Sequence, residues 1–422
     1  MKIKLKSVYY AMFIVLFFIS YNITIYGYFI PNYIVLAIGL FFILLSFYMQ
    51  AKKIKIRKKN MEYILAVLLI TFIYVFRNKQ LSANVLSNAT YLFAILLLFL
   101  LHFSNKWIEV PYKIINFFTY EHLIGTYFVF LFPNIYIKNF LPIFKSSSGY
   151  ADLINQVNAN MNAGFTGNYG ANAIYLTIGF ITIFSKCIAI RKFKKMDIII
   201  LFLTFLGIIL TGKRGPLIFG VITIILEYIL VNKEKIPSKV FKLSIFTMLI
   251  VIFMISASSV IPSISLIYDR IFNSSDMLNG RERLYDLAIT LFSEHTFFGI
   301  GWGNFKYYYS LYYNTSELLN VHNVYLQLLC ETGIIGTTII VFFMLKSAIK
   351  SYKMQKSGFF EKYNVELATS FALQLFVILI GISSTPLYGI EALYIYIISC
   401  IIPYSISFNN EGEIKNEKIK DK

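Results

Sequence analysis

The sequence predicts an all-α polytopic membrane protein, and three observations support that prediction. The 422 residues are 58% hydrophobic and 14% charged, whereas soluble domains carry about 25% charged residues. Long apolar runs alternate with short polar segments along the chain. The formal net charge of +18 sits in short clusters between those runs. This charge pattern excludes a nucleic-acid-binding surface and indicates loops at one face of a membrane.

About twelve transmembrane helices are predicted, because a bilayer core needs about 20 apolar residues per span. The first apolar run is interpreted as a helix and not as a cleaved signal, since no small-residue cleavage site follows it. Residues 1–422 thus form a single integral membrane domain. The predicted spans are 8–27, 31–50, 61–76, 85–103, 114–132, 170–190, 197–212, 216–231, 240–259, 323–345, 364–384 and 388–405.

Lysine and arginine residues fall mainly on one side of the predicted membrane. The segments on that side, which include both termini, hold 29 of them, and the opposite segments hold 10. Because cytoplasmic loops carry the excess of Lys and Arg, both termini and the charged tail 406–422 are predicted to be cytoplasmic. We therefore expect a multi-pass protein of the cytoplasmic membrane, with loops 133–169 and 260–321 on its outer face.

Both outer loops exceed the usual length of connections, which indicates function or disorder. Loop 133–169 is rich in Asn and Gly. Loop 260–321, between spans 9 and 10, contains an amphipathic helix pattern, and Asn279 with Glu282 is typical of a helix start. The apolar stripe of that pattern comprises Leu284, Leu287, Ala288, Leu291 and Phe292.

Two arginines stand at the start of this amphipathic pattern. Arg281 lies nearer the centre of the apolar stripe than Arg283 does, so Arg281 is predicted to face inward and Arg283 outward. Periodicity alone leaves open that both arginines are solvated or contact lipid headgroups.

A second basic site is the predicted outer turn Gly212-Lys213-Arg214-Gly215-Pro216. Pro216 fits the first turn of a helix. Free N–H groups at a helix start, together with two cations, can bind an anion. The alternative is a charged hairpin tip that only marks the membrane interface.

His322 and Asn323 stand where the second outer loop re-enters the membrane. Histidine is the side chain best suited to proton transfer near neutral pH, although a structural cap at the helix start would also fit this position. Glu331 lies about half a turn round the helix from His322, so we expect it to pack or form hydrogen bonds and not to pair with His322.

The other chemically notable residues lie in apolar runs. Cys187, Cys330 and Cys400 predict neither a disulfide framework nor a CxxC metal site. Ionisable residues inside spans are functional candidates by default, and a proton relay among them would favour a transporter. These residues are Glu121, His122, Glu227 and Glu391.

The outer residues Lys213, Arg214, Arg281 and His322 together suit one reaction. Arginine matches phosphate oxygens bidentately. Fixed cations stabilise the charge that develops on a leaving diphosphate. A sugar hydroxyl that attacks an anomeric carbon must lose its proton. The combination is what glycosyl transfer from a lipid diphosphate requires.

The same outer segments resemble the O-antigen ligase/polymerase family of polytopic membrane glycosyltransferases. The resemblance rests on Arg281 followed by Tyr285, on HTFFGIGWGNF at 295–305 and on HNVYLQLLCETGIIG at 322–336. GKRG at 212–215 resembles the family's SRG-type motif, with Lys213 in place of serine. Thr296 departs from the pattern because proline is common there. Similarity at the residue level covers 212–216 and 279–336.

The resemblance implies a GT-C-like fold and a metal-independent glycosyltransferase without a cofactor. By resemblance, Arg214 and Arg281 hold the lipid diphosphate and His322 activates the acceptor. Further substrate contacts are expected at Lys213, Arg283, Tyr285 and Asn323. The implied partners are an undecaprenyl-diphosphate-linked oligosaccharide donor and acceptor, the lipid bilayer, a flippase and a chain-length regulator.

The expected function is polymerisation of oligosaccharide repeat units for capsular or surface polysaccharide or O-antigen. One alternative is ligase-type transfer of a finished glycan to another acceptor. The residue usage is typical of an AT-rich bacterium, and in a Gram-positive cell a ligase would lack a lipopolysaccharide acceptor, which favours polymerisation. A transporter or flippase of lipid-linked sugar is the other alternative. It predicts internal repeats, and none is evident in the sequence.

Overall fold

The computed structural model describes residues 5–15, isolated positions between 38 and 49, and 106–144, 147–231, 236–259, 261–269, 280–358 and 360–420. These ranges contain helices and turns and no strand. The predicted spans 8–27, 31–50, 61–76 and 85–103 lie wholly or largely outside them. The helices are α1 (Leu5–Val15), α2 (Glu109–Leu131), α3 (Ser147–Asn158), α4 (Tyr169–Ile190), α5 (Lys195–Leu210), α6 (Arg214–Val231), α7 (Ile236–Ser258), α8 (Pro262–Tyr268), α9 (Glu282–Glu294), α10 (Phe305–Tyr312), α11 (Val324–Ser357), α12 (Asn364–Ile380) and α13 (Ile390–Lys420).

Five helical stretches in the described residues are long and apolar enough to cross a membrane: α2, α4, α6, α11 and Glu361–Ile380, which includes α12. Helix α5, with 16 residues, and the apolar part of α13 are shorter. Every predicted span from 114–132 onward coincides with a helix. The all-helical class is confirmed, and the helices support a multi-pass membrane protein. The total of twelve spans stays a prediction.

Helix α4 lies at the centre of the described bundle. Most of its 22 residues are buried, and it packs against α2, α5, α6 and α12. Small residues allow this close packing. A Cβ on Gly179 would overlap Thr119 of α2, and a Cβ on Gly220 of α6 would lie 2.7 Å from the Thr177 side chain.

The tenth predicted span, 323–345, ends well before the helix does in the structure. Helix α11 runs from Val324 to Ser357, with a break at Gly333, so most of the predicted inner loop 346–363 is helical. Lysines at positions 346, 350 and 353 recur at helical spacing, and their long side chains can carry the charge away while the helix continues. The tail predicted at 406–422 is likewise helical as far as Lys420.

Helix α9 confirms the amphipathic pattern of the second outer loop. Leu284, Leu287, Ala288 and Leu291 are buried in a cluster that also contains Phe305 and Cys330. The helix begins at Glu282, and its N-cap residue Arg281 makes no side-chain cap hydrogen bond. The predicted capping residue Asn279 lies outside the described residues.

The loop that follows α9 supplies hydrogen-bond partners for the backbone groups at the break in α11. The N–H groups of Ile300 and Gly301 donate to the carbonyls of Cys330 and Glu331 at 2.9 and 2.8 Å, and the Ile334 N–H donates to Thr296 O at 2.8 Å. A helix interrupted at Gly333 (φ 65°, ψ −175°) would otherwise leave these backbone groups without partners. The loop and the two pieces of α11 therefore form one unit.

We expect Gly333→Ala to destabilise the protein much more than Gly358→Ala. Both glycines have positive φ angles, 65° and 68°. Alanine at position 358 adds backbone strain of about 1–2 kcal/mol, and alanine at position 333 adds about 1–3 kcal/mol, because its ψ of −175° lies in a region essentially restricted to glycine. A Cβ at position 333 would also overlap the Phe297 carbonyl, whereas nothing lies within 4 Å at position 358. That overlap should add about 1–3 kcal/mol. Thermal unfolding in detergent measures the difference, and equal losses for the two variants would contradict the close loop–helix contact.

Candidate functional site

The turn between α5 and α6 is the point where both long outer loops meet. Gly212 has a φ of 72°. Met161 of the first outer loop and Leu266 of α8 in the second lie 3.2 and 3.1 Å from the position of a Cβ on Gly212. The backbone that carries Lys213 and Arg214 is thus held between two outer segments.

Lys213 is held against the start of α4. Its ammonium lies 4.5 Å from the centroid of the Tyr169 ring, and its Cε lies 3.3 Å from the position of a Cβ on Gly170. Asn168 fixes this helix start, since its side chain accepts hydrogen bonds from the N–H groups of Gly170 and Ala171 at 2.8 and 3.0 Å. The cation is therefore held at the N-terminal end of α4.

Arg281 and Gly215, the residue after Arg214, both adjoin the short segment that follows α12. Arg281 Nη1 donates to the Ser383 carbonyl at 2.9 Å. Gly215, the residue after Arg214, lies beside the same serine, whose Oγ is 3.4 Å from the position of a Cβ on Gly215. Residues that are far apart in sequence thus share one neighbour.

The prediction that Arg281 faces inward and Arg283 outward is confirmed. Arg281 is half-buried and Arg283 is exposed. The Arg283 backbone carbonyl accepts a hydrogen bond from the Tyr313 hydroxyl at 3.2 Å. Arg283 therefore lies on the exposed side of α9, facing away from the bundle, and this geometry gives no support to the substrate contact expected at Arg283.

His322 lies close enough to Arg281 and Lys213 to be affected by their charges. Burial lowers the pKa of its imidazole, and the two cations lower it further, to about 4. The side chain is therefore neutral at neutral pH and can accept a proton or a hydrogen bond. The predicted residues Lys213, Arg281 and His322 thus lie close together. We call these three residues and Arg214 the outer basic cluster.

The backbone of His322 is in the left-handed region, with a φ of 59°. This conformation costs a non-glycine residue about 1–2 kcal/mol. The following residues hold it in place, because the Asn323 side chain caps α11 and the Val324 N–H donates to Gly381 O at 2.8 Å. Strained residues that their surroundings fix in this way are common at functional sites.

Two residues that are predicted to contact substrate, Asn323 and Tyr285, make contacts within the protein. The Asn323 side-chain oxygen accepts from the N–H groups of Tyr325 and Leu326 at 3.0 and 3.2 Å. Tyr285 packs against the buried cluster of α9. Contacts of these residues with substrate stay predictions. His295 is exposed at the end of α9.

The glycine-rich segment 299–303, in which all three glycines have positive φ angles, forms a turn that is anchored by Glu331. Trp302 is buried and stacks on Tyr388, with 5.0 Å between ring centroids. The Glu331 carboxylate accepts from the N–H groups of Gly303 and Phe305 at 2.7 and 3.0 Å. The expectation that Glu331 forms hydrogen bonds is confirmed.

The ionisable residues of the spans have contacts inside the bundle. The Ser185 hydroxyl donates to the buried Glu227 carboxylate at 2.9 Å. His122 stacks on Tyr175, with 4.7 Å between ring centroids, and its Nδ1 lies 3.6 Å from Glu121 Oε2. The Glu391 side chain lies outside the described part of the structure. The contacts of Glu227 and His122 join neighbouring helices.

Sequence reasoning missed Ser383 and Tyr169. Ser383 belongs to a short outer connection without a charged residue, and Tyr169 is one of 32 tyrosines, so composition does not distinguish either of them. The available signal was topological, since Tyr169 immediately precedes the predicted span 170–190 and Ser383 is next to the last residue of the predicted span 364–384, both at predicted outer ends.

Comparison with known proteins identifies the segment that carries the outer basic cluster. No curated protein matches the chain. A family model described as O-antigen ligase matches residues 199–341. This range extends from α5 into α11 and includes Lys213, Arg214, Arg281 and His322. The match over about a third of the chain supports the Wzy/WaaL-like family, that of the O-antigen ligases.

Proposed function

We propose that this protein polymerises oligosaccharide repeat units carried on undecaprenyl diphosphate, at the outer face of the cytoplasmic membrane, for a surface polysaccharide. One observation carries the proposal: the charges of Arg281 and Lys213 both act on the half-buried, neutral His322. Separate segments of the chain supply these residues, which supports a cluster that would combine anion-binding and proton-accepting groups.

The cations of the cluster would act on the donor. Arg214 and Arg281 would bind the diphosphate, and Lys213 would add positive charge from the α4 side. As the bond between the anomeric carbon and the phosphate oxygen breaks, negative charge grows on the leaving diphosphate. Fixed cations stabilise that charge without having to reorganise.

His322 would act on the acceptor. A sugar hydroxyl attacks the anomeric carbon, its proton passes to the imidazole and a glycosidic bond forms. A base works best when its pKa is near the working pH, and the pKa of His322 without substrate is about 4. A bound diphosphate would offset the two nearby cations and raise that pKa, bringing the imidazole closer to the useful range.

Product analysis in proteoliposomes tests this function. Purified protein would be incubated with a synthetic undecaprenyl-diphosphate oligosaccharide as both donor and acceptor. A ladder of products is expected for a polymerase. Transfer of one unit to a different acceptor would indicate a ligase, and movement of the intact donor across the bilayer without bond cleavage would indicate a transporter. Ladder formation in the presence of EDTA is expected, because we propose no metal in the reaction.

Cysteine labelling tests the proposed orientation. Tyr312 and Lys192 are exposed, on the second outer loop and after α4 respectively, and the three native cysteines are buried. A membrane-impermeant maleimide should label Tyr312→Cys in intact cells and Lys192→Cys only after permeabilisation. The reverse pattern would contradict an outer-face site.

A further inference from the structure

The Glu331 carboxylate and the turn 299–305 are in direct contact. Glu331 is fully buried on the first piece of α11. Its Oε2 accepts from the Gly303 N–H at 2.7 Å, and its Oε1 accepts from the Phe305 N–H at 3.0 Å. One side chain therefore fixes two backbone groups of the turn.

Gln327, one helical turn earlier, connects Glu331 to the residue before His322. Its Nε2 donates to Glu331 Oε1 at 3.2 Å and to Asn320 Oδ1 at 3.0 Å. Its Oε1 accepts from the Val321 N–H at 3.1 Å. Gln327 is fully buried, and these three hydrogen bonds use both of its N–H groups and its oxygen.

A continuous hydrogen-bonded path thus runs from the turn 299–305 to the peptide that precedes His322. His322 has a left-handed φ of 59°, a conformation that persists only where neighbouring contacts fix it. Gln327 fixes the backbone on the N-terminal side of His322, and the Asn323 cap and the Val324–Gly381 hydrogen bond fix the other side.

We propose that Gln327 and Glu331 are positioning residues for the imidazole of His322. They act through backbone groups and do not touch substrate. They hold the strained peptide at 321–322 and the turn 299–305 in a fixed relation, so that the imidazole stays beside Arg281 and Lys213. The inference rests on the proposed function of His322.

Two substitutions interrupt the path in different ways. Gln327→Met keeps a similar volume and removes all three hydrogen bonds of the amide. Glu331→Gln replaces one carboxylate oxygen, which accepts a hydrogen bond, with an NH₂ group, which cannot accept one. At least one of the hydrogen bonds from the Gly303 and Phe305 N–H groups is therefore lost. Gln355→Met is the matched control, because Gln355 is the same residue type on the same helix and donates to Asn364 at 3.4 Å.

Kinetics and hydrogen exchange would be measured on the full chain in lipid nanodiscs. Gln327→Met and Glu331→Gln should lower kcat about 10- to 100-fold, since a displacement of about 1 Å in a reacting group costs that much. The KM for the lipid-linked donor should change less than about threefold because these residues do not bind it. Amide exchange should rise in 299–305 and 320–323 for both variants and stay unchanged for Gln355→Met.

The two readouts distinguish failure of this inference from failure of the proposed function. Faster exchange with an unchanged kcat, or a kcat loss equal to that of Gln355→Met, would overturn the positioning role. If the wild type transfers no glycan, the proposed function fails, and unchanged exchange in both variants would still refute the hydrogen-bonded path. If Glu331→Gln does not fold, judged by thermal unfolding, the same criteria apply to Gln327→Met and the milder Gln327→Glu.

Discussion

His322→Ala should lower the turnover of glycan transfer about 10²- to 10⁴-fold, the usual contribution of general-base catalysis, while the protein stays folded and inserted. The side chain is half-buried beside Arg281 and Lys213, so its removal takes away the proposed proton acceptor without opening the core. Initial rates in proteoliposomes measure the loss. His295→Ala is the control, because that histidine is exposed at the end of α9.

The pH dependence separates a base from a group that only orients the hydroxyl. The pKa of His322 is lowered to about 4, so the imidazole of the substrate-free protein is neutral at neutral pH and becomes protonated only as the pH falls through about 4. For a base, kcat/KM should be flat in the neutral range and fall through that pH. The corresponding fall in kcat should occur at higher pH, because bound diphosphate raises the pKa. Near-normal rates for His322→Gln would contradict the base.

Arg281→Lys should lower kcat/KM roughly 10- to 150-fold, the equivalent of one charge-assisted hydrogen bond. Lysine keeps the charge but loses both the forked geometry for diphosphate and the bond to the Ser383 carbonyl at 2.9 Å. Arg214→Lys should act in the same direction. Arg283→Lys, two residues along the chain and exposed, should change kcat/KM less than about twofold. A larger loss for Arg283→Lys than for Arg281→Lys would contradict the arrangement of the cluster.

The sequence predicted those features that depend on local periodicity. The apolar stripe from Leu284 to Leu291 predicted which face of α9 is buried. The angular positions relative to that stripe predicted that Arg281 faces inward and Arg283 outward. The helical spans from 114–132 onward could be predicted because apolar length alone determines them. The structure brings together Lys213, Arg281 and His322, which the motifs had singled out, whereas their position on the outer face stays a prediction.

The remaining features depend on contacts between distant segments. The break at Gly333 is stabilised because the loop at 296–301 forms hydrogen bonds with the backbone of α11. The residues around Gly333 do not indicate which distant segment forms these bonds. Ser383 contacts Arg281 through its backbone carbonyl, a group that every residue type possesses. The length of α11 was underestimated because the lysines beyond position 345 were interpreted as a loop, although their spacing also suits a helix face.

Bond cleavage at the donor tests the central claim most directly. Purified wild-type protein in proteoliposomes would receive a lipid-linked donor labelled in its undecaprenyl diphosphate, and both the free lipid diphosphate and the new glycosidic bonds would be counted by mass spectrometry. The outer basic cluster predicts one lipid diphosphate released for each bond formed, with both products lost together in His322→Ala and reduced together in Arg281→Lys. Unchanged release and transfer in these variants would contradict a glycosyl-transfer site at Lys213, Arg214, Arg281 and His322.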